Sequence, residues 1–157
     1  MTIIPQAASR LFSVGEISVQ YNTDRNVKRE QVKGSLDAFY ILRQYWSNQI
    51  NRLEEFYILC LNRNNEAIGI YLVSTGGTSG TLADPKIVFQ VALGCHASSL
   101  IIAHNHPSGN MAASEADKQL TRRYKEIGKL LDCTLLDHLI LGPDPHLYYS
   151  FADEGLM

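Results

Sequence analysis

The stretch His104-Asn105-His106-Pro107-Ser108-Gly109 (HNHPSG) decides how this chain is read, together with Ser98–Ala103 (SSLIIA) before it and Ser114-Glu115-Ala116-Asp117 (SEAD) after it. Ser98–Ala103 is a short apolar run of the kind found in a strand covered on both faces. It leads into a loop expected over His104–Ala113. Residues two apart on extended chain point to the same side, so both imidazoles can meet one ion. Ser114 opens the longest helix, and Asp117 lies in its first turn, three residues after the cap. A strand–loop–helix connection can fold that carboxylate back toward the histidines. Two His nitrogens and one carboxylate oxygen, with a fourth position left to water, are a known donor set for catalytic zinc. In α/β sheets, sites also gather at the carboxyl ends of strands. An isolated H-x-H reads as two loop histidines and an isolated S-x-x-D as a helix cap. Their succession behind one apolar strand is what points to a metal.

Working outward, Glu54–Asn62 (EEFYILCLN) is rich in strand formers and ends at the polar Arg63-Asn64-Asn65 turn. Glu66–Ser74 returns, which predicts an antiparallel hairpin. Thr75–Thr81 (TGGTSGT) lacks the Gly-Lys-Ser/Thr ending of a phosphate-binding loop and is read as a turn at the site rim. Asp84-Pro85 opens a helix that Gly94 stops. After Ser114, the residues Ala116, Leu120, Tyr124, Ile127 and Leu131 follow helical period. Thr134–Leu141 is a strand, Gly142–Pro145 a turn and His146–Phe151 a last strand. Toward the N-terminus, Ile17–Tyr21 alternates like a strand and Asn22–Lys33 is polar. Ser35 is then read as the cap of a helix reaching about Trp46, with Leu36, Phe39, Tyr40 and Arg43 on one side. Strands alternating with helices predict an α/β fold, a mixed sheet flanked by helices. The expected organisation is an N-terminal extension, 1–52, packing on a metal-binding domain, 53–157.

The length, 157 residues with 45% hydrophobic and 19% charged, fits one domain with its own core. Fourteen Lys and Arg against sixteen Asp and Glu leave a net charge of −2, which argues against general coating of nucleic acid. Lys118, Arg122, Arg123, Lys125 and Lys129 form a cationic helix face, read as solvated, with a nucleic-acid surface as the sharper alternative. His96 is read as a surface or structural residue. Cys60, Cys95 and Cys133 are far apart in apolar surroundings, as buried thiols in a reducing compartment are. No apolar run approaches the roughly 18 residues of a membrane span. Met1–Arg10 lacks the pattern of a signal peptide. A soluble, cytoplasmic protein without a membrane partner is expected; the oligomeric state is not legible.

HNHPSG followed by S-x-x-D resembles the RadC group of JAMM (JAB/MPN-type) metalloprotease-like domains. The likeness continues through Glu54–Asn62, Asp84-Pro85, Leu136-Asp137-His138-Leu139-Ile140 and Phe151–Leu156, so it covers about Leu53 to the C-terminus. It implies a JAB/MPN, cytidine deaminase-like architecture, and one Zn2+ per chain held by His104, His106 and Asp117. It also implies Ser114 as the catalytic serine and a glutamate at the start of an upstream strand as general base. Glu54 and Glu55 both stand there and point to opposite faces by strand parity. The family's acidic position lies two before an aromatic, here Phe56, and that selects Glu54. His138 reads as a core histidine, to which the resemblance adds a supporting place behind the ligands. The implied activity is that of a zinc metallopeptidase or isopeptidase, cleaving a protein or peptide substrate with a metal-activated water. The alternatives are a DNA-repair or DNA-processing accessory, whether nucleic-acid binding or nuclease, and a non-catalytic metal-binding interaction module. Two departures stand out. Asn110-Met111-Ala112-Ala113 replaces the Thr-Pro often found before the serine, and no helix–hairpin–helix module is legible upstream, as in the short form of the group.

Overall fold

The computed structural model describes residues 18–23, 28–76 and 83–157. Among them α1 (Ser35–Tyr45) precedes the hairpin β1 (Glu55–Leu61) and β2 (Ala67–Thr75). Then come α2 (Pro85–Gly94), β3 (Ser99–Asn105), α3 (Glu115–Leu130), β4 (Thr134–Leu141) and β5 (Tyr148–Ser150). The strands form one mixed sheet in the order β2-β1-β3-β4-β5. Only β3 and β4 run parallel, joined through α3; the other neighbours are antiparallel.

Every residue of β1 and β3 is buried, because each face of the sheet carries its own core. Tyr57, Leu59, Leu61, Ile101 and Ala103 pack with Phe39, Leu42 and Trp46 on the α1 face. Phe56, Ile58, Cys60, Leu100 and Ile102 pack with Val88, Phe89 and Tyr124 on the face of α2 and α3. Odd and even residues of the two central strands therefore serve different layers. On β4 this parity reverses at a bulge: Leu100 pairs with Leu135 but Ile101 pairs with Asp137, leaving Leu136 as the extra residue. His138 and Ile140 thereby join the face on which His104 lies.

The helix starts follow local chemistry. Asp84 accepts from the Lys86 amide at 2.9 Å ahead of Pro85 in the first turn. Ser114 and Asp117 form a reciprocal capping box at the start of α3. Gly128 sits where α3 meets the chain entering β4, and a Cβ there would lie 2.4 Å from the Cys133 carbonyl oxygen. The close approach is thus reserved for glycine. All three cysteines are buried free thiols.

Several expectations are corrected. The cap of α1 is Gly34, not Ser35, whose hydroxyl instead donates to Asp153 at 2.5 Å. The face α1 buries is Ala38, Phe39, Ile41 and Leu42, while Leu36 and Tyr40 stay half exposed. β3 runs on through Asn105, so His104 is strand and not loop. β5 is shorter than expected. On α3 the buried positions are Thr121, Tyr124 and Gly128, with Ala116 and Leu131 exposed. Ser18–Tyr21 forms no strand; Met1–Arg10, Ile17, residues 24–27 of the polar segment and residues 77–81 of the glycine-rich loop lie outside the described residues.

Candidate metal centre

His104 is the penultimate residue of β3, and His106 lies just past its end with its amide donating to the Leu141 carbonyl at 2.9 Å, which continues the parallel ladder by one step. Both imidazoles project beneath the start of α3, and their Nε2 atoms lie 2.9 Å apart. Glu54, just before β1, brings a carboxylate oxygen to them. One ligand atom each from Glu54, His104 and His106 all fall within 4.8 Å of one another, a group able to hold a metal ion. Asp117 contributes Oδ1 at 3.3 Å from His104 Nε2. Its Oδ2 accepts from the Ser114 amide at 2.8 Å and the Ser114 hydroxyl at 2.6 Å. Ser114 is exposed and its single proton is committed to Asp117 in this arrangement.

The hydrogen-bond partners fix which ring nitrogens carry protons. Thr121 Oγ1 donates its one hydrogen to the Asp117 carbonyl one turn back, at 2.7 Å. It can then only accept from His138 Nδ1, 2.7 Å away. His138 Nε2 is left as the acceptor for His104 Nδ1 at 2.8 Å, and His104 Nε2 is left as a bare lone pair. His106 Nδ1 faces the Asn110 carbonyl at 2.5 Å and donates to it, so in the neutral ring, the form that binds metal, its Nε2 is bare as well. With both rings neutral, two lone pairs meet 2.9 Å apart and repel each other, and a shared cation resolves the repulsion. The donor set fits a divalent metal on that ground.

Burial holds His104 well below the ordinary imidazole range, to about 4, against the pull of Asp117 and helped by His106. Burial also holds His138 well below the ordinary imidazole range, with His104 and His106 adding to the effect. Both rings stay neutral, as ligation requires. Phe151 stacks on His138 at 4.5 Å between ring centroids, and Asp137 binds the His138 and Ala152 amides at 2.7 and 2.9 Å. The C-terminal turn is thereby tied to the ring behind the ligands. Glu54 is raised by burial first, with His106 opposing and Asp117 adding.

Glu55 points the other way. It is buried on the α1 face, and the Ser47 hydroxyl lies 2.8 Å from both of its oxygens. The structure thus brings Glu54, His104, His106, Asp117 and Ser114 together with His138 behind them, and keeps Glu55 apart. His96 is exposed and elsewhere. Sequence reading missed Thr121; its signal was a hydroxyl one helical turn after Asp117, on the face that α3 buries. A cleft of about 460 Å³ between α1 and the β1–β2 hairpin contributes none of these residues.

The relay makes a testable demand. Thr121→Val keeps the shape but removes the hydroxyl that accepts from His138 Nδ1–H. His138 is then expected to switch tautomer and push a proton onto His104 Nε2, weakening zinc about 10–100-fold, as loss of a supporting partner does. Thr121→Ser is expected to bind like the parent. Zinc titration of the three proteins decides, and equal affinities would remove the relay from the account.

A family model described as a RadC-like JAB domain matches residues 32–156. A UPF0758 protein of Flavobacterium johnsoniae is 39% identical over 141 residues, covering 90% of this chain and 60% of that protein. A UPF0758 protein of Porphyromonas gingivalis is 37% identical over 153 residues, covering 98% and 66%. One of Chlorobaculum parvum is 34% identical over 152 residues, covering 96% and 65%. The chain therefore spans 60–66% of the length of these relatives. Their names assign no reaction. Among the described residues no helix is long and apolar enough to cross a membrane.

Proposed function

This chain belongs to the RadC-like JAB domain family, and on that premise we propose that it is a zinc-dependent hydrolase cleaving a peptide or isopeptide bond in a protein or peptide substrate. The observation that supports this most is the convergence of two imidazole Nε2 atoms, 2.9 Å apart, beside two carboxylates. His104, His106 and Asp117 are the proposed ligands and Glu54 the proposed base. Asp117 is the carboxylate suited to ligation, because Ser114 fixes one of its oxygens with two hydrogen bonds and leaves the other aimed at His104. A zinc ion held there supplies Lewis acidity, polarising the scissile carbonyl and bringing the acidity of water toward neutral pH.

Every other role falls to the chain. Glu54 takes the proton of the attacking water and returns it to the leaving amine. The Ser114 hydroxyl turns from Asp117 to donate to the oxygen on which negative charge develops, a contribution of roughly 3–4 kcal/mol to the barrier in comparable sites. The neutral His138–Thr121 relay keeps His104 from carrying a competing proton. Mixed nitrogen and oxygen donors suit zinc better than the hard cations of phosphodiester cleavage.

The test is a panel of fluorogenic peptides and lysine-linked isopeptides offered to the zinc-loaded protein. Cleavage that a chelator abolishes and added zinc restores is the expected result. A protein that binds one zinc per chain yet cleaves neither linkage would overturn the hydrolase reading and leave a metal-binding module.

A further inference from the structure

The residue between the two histidines faces the opposite side of the sheet, and there it holds the segment that carries Glu54. Asn105 is fully buried, and its carboxamide makes three hydrogen bonds, all to residues 50–55. Oδ1 accepts from the Glu55 amide at 2.7 Å; Nδ2 donates to the carbonyls of Ile50 at 2.7 Å and Leu53 at 2.9 Å. The Leu53 carbonyl belongs to the peptide plane before Glu54, and the Glu55 amide to the plane after it. That second plane is also held from the residue just past β2, where the Gly76 amide donates to the Glu54 carbonyl at 2.7 Å. Both planes flanking Glu54 are therefore pinned, and with them its two backbone dihedrals.

We infer that Asn105 is a positioning residue for Glu54: through the two peptide planes it directs the Glu54 side chain onto the histidine face. This rests on the role proposed for Glu54. One strand thus does two jobs by parity, since His104 and His106 face the metal and the amide between them aims the base. A bare hydrophobic residue at 105 would leave the Glu55 amide and two carbonyls without partners and free the segment to turn. Displacement of a reacting group by about 1 Å can cost about 100-fold in rate.

The experiment compares the parent with Asn105→Ala, alone and in a Glu54→Gln background, by three readouts. Zinc affinity is expected to stay within about twofold, because the ligands lie on the other face. Amide exchange at Glu55 and Gly76 is expected to quicken at least tenfold. Turnover is expected to fall about 100-fold with KM little changed, and Asn105→Ala is expected to cost nothing further once Glu54 is glutamine. Unchanged exchange and turnover would overturn the inference. So would zinc affinity falling in step with turnover, or an equal turnover loss in the Glu54→Gln background, since either shows general support of the fold. If the parent itself cleaves nothing, the hydrolase reading fails, while the split between zinc affinity and exchange still decides whether Asn105 clamps this segment. Should Asn105→Ala not fold, Asn105→Asp, which keeps the acceptor and loses the amide donors, is read the same way.

Discussion

His106→Ala is expected to empty the metal centre. Elemental analysis of the parent, purified without added metal, should show about one zinc per chain, and of the variant almost none. The reason lies in the geometry: His106 Nε2 lies 2.9 Å from His104 Nε2, and its Nδ1 is tied to the Asn110 carbonyl, so the ring is held with Nε2 toward the centre and its loss removes one of the two imidazole donors that meet there. Losing a ligand should exceed the 10–100-fold cost of losing a supporting partner, and titration should show affinity down by more than about 100-fold. His96→Ala and His146→Ala remove exposed imidazoles outside the cluster and are the matched controls. Zinc retained in His106→Ala at the parent level would sink the centre as drawn. Zinc absent from the parent even after titration would sink it too, along with the hydrolase reading.

What the sequence disclosed of this site, and what it concealed, follows from how far periodicity reaches. His104 and His106 could be placed on one side of a strand because parity holds between neighbours on extended chain. Asp117 could be brought near them because a capped helix start has few geometries. Parity fails at a bulge, and β4 has one at Leu136. Counted from Leu135, which packs on the α2–α3 face, His138 falls on the opposite layer; only the extra residue returns it beside His104. No residue type marks that bulge in advance. Thr121 was concealed for a related reason. The apolar stripe expected on α3 holds at Tyr124, which is buried, and at Leu120 and Ile127, which pack against the core, but its ends Ala116 and Leu131 are exposed; the helix buries Thr121 and Gly128 beside Tyr124, a hydroxyl and a glycine that an apolar stripe does not pick out. The phase of α1 slipped: its buried side is chosen by the sheet it covers, and Leu36 and Tyr40 were apolar enough to mislead. Asn105 was in plain view inside the motif, but its partners sit about fifty residues away, where local pattern says nothing.

Glu54 and Glu55 are adjacent and chemically alike, so replacing each by glutamine is the sharpest separation the chain offers. Glu54→Gln keeps the size and removes the basic carboxylate. Turnover is expected to fall about 100- to 10,000-fold, the usual range for a lost general base, with zinc content unchanged if Asp117 is the third ligand. Glu55→Gln should leave turnover near the parent, because that carboxylate lies on the α1 face and serves Ser47. Its effect should instead be on stability. The Ser47 hydroxyl donates to a charged acceptor in the parent and to a neutral amide in the variant, and the exchange at a buried site should cost about 1 kcal/mol. Steady-state rates, zinc content and urea midpoints of the two variants check the whole set. Zinc lost from Glu54→Gln would make Glu54 a ligand in place of Asp117, as its closeness to both histidines permits, and the base would have to be sought elsewhere. Turnover lost from Glu55→Gln with stability intact would reverse the assignment of faces. The two carboxylates differ by one step of a strand, and that step places one against a hydroxyl in the core and the other against the proposed metal.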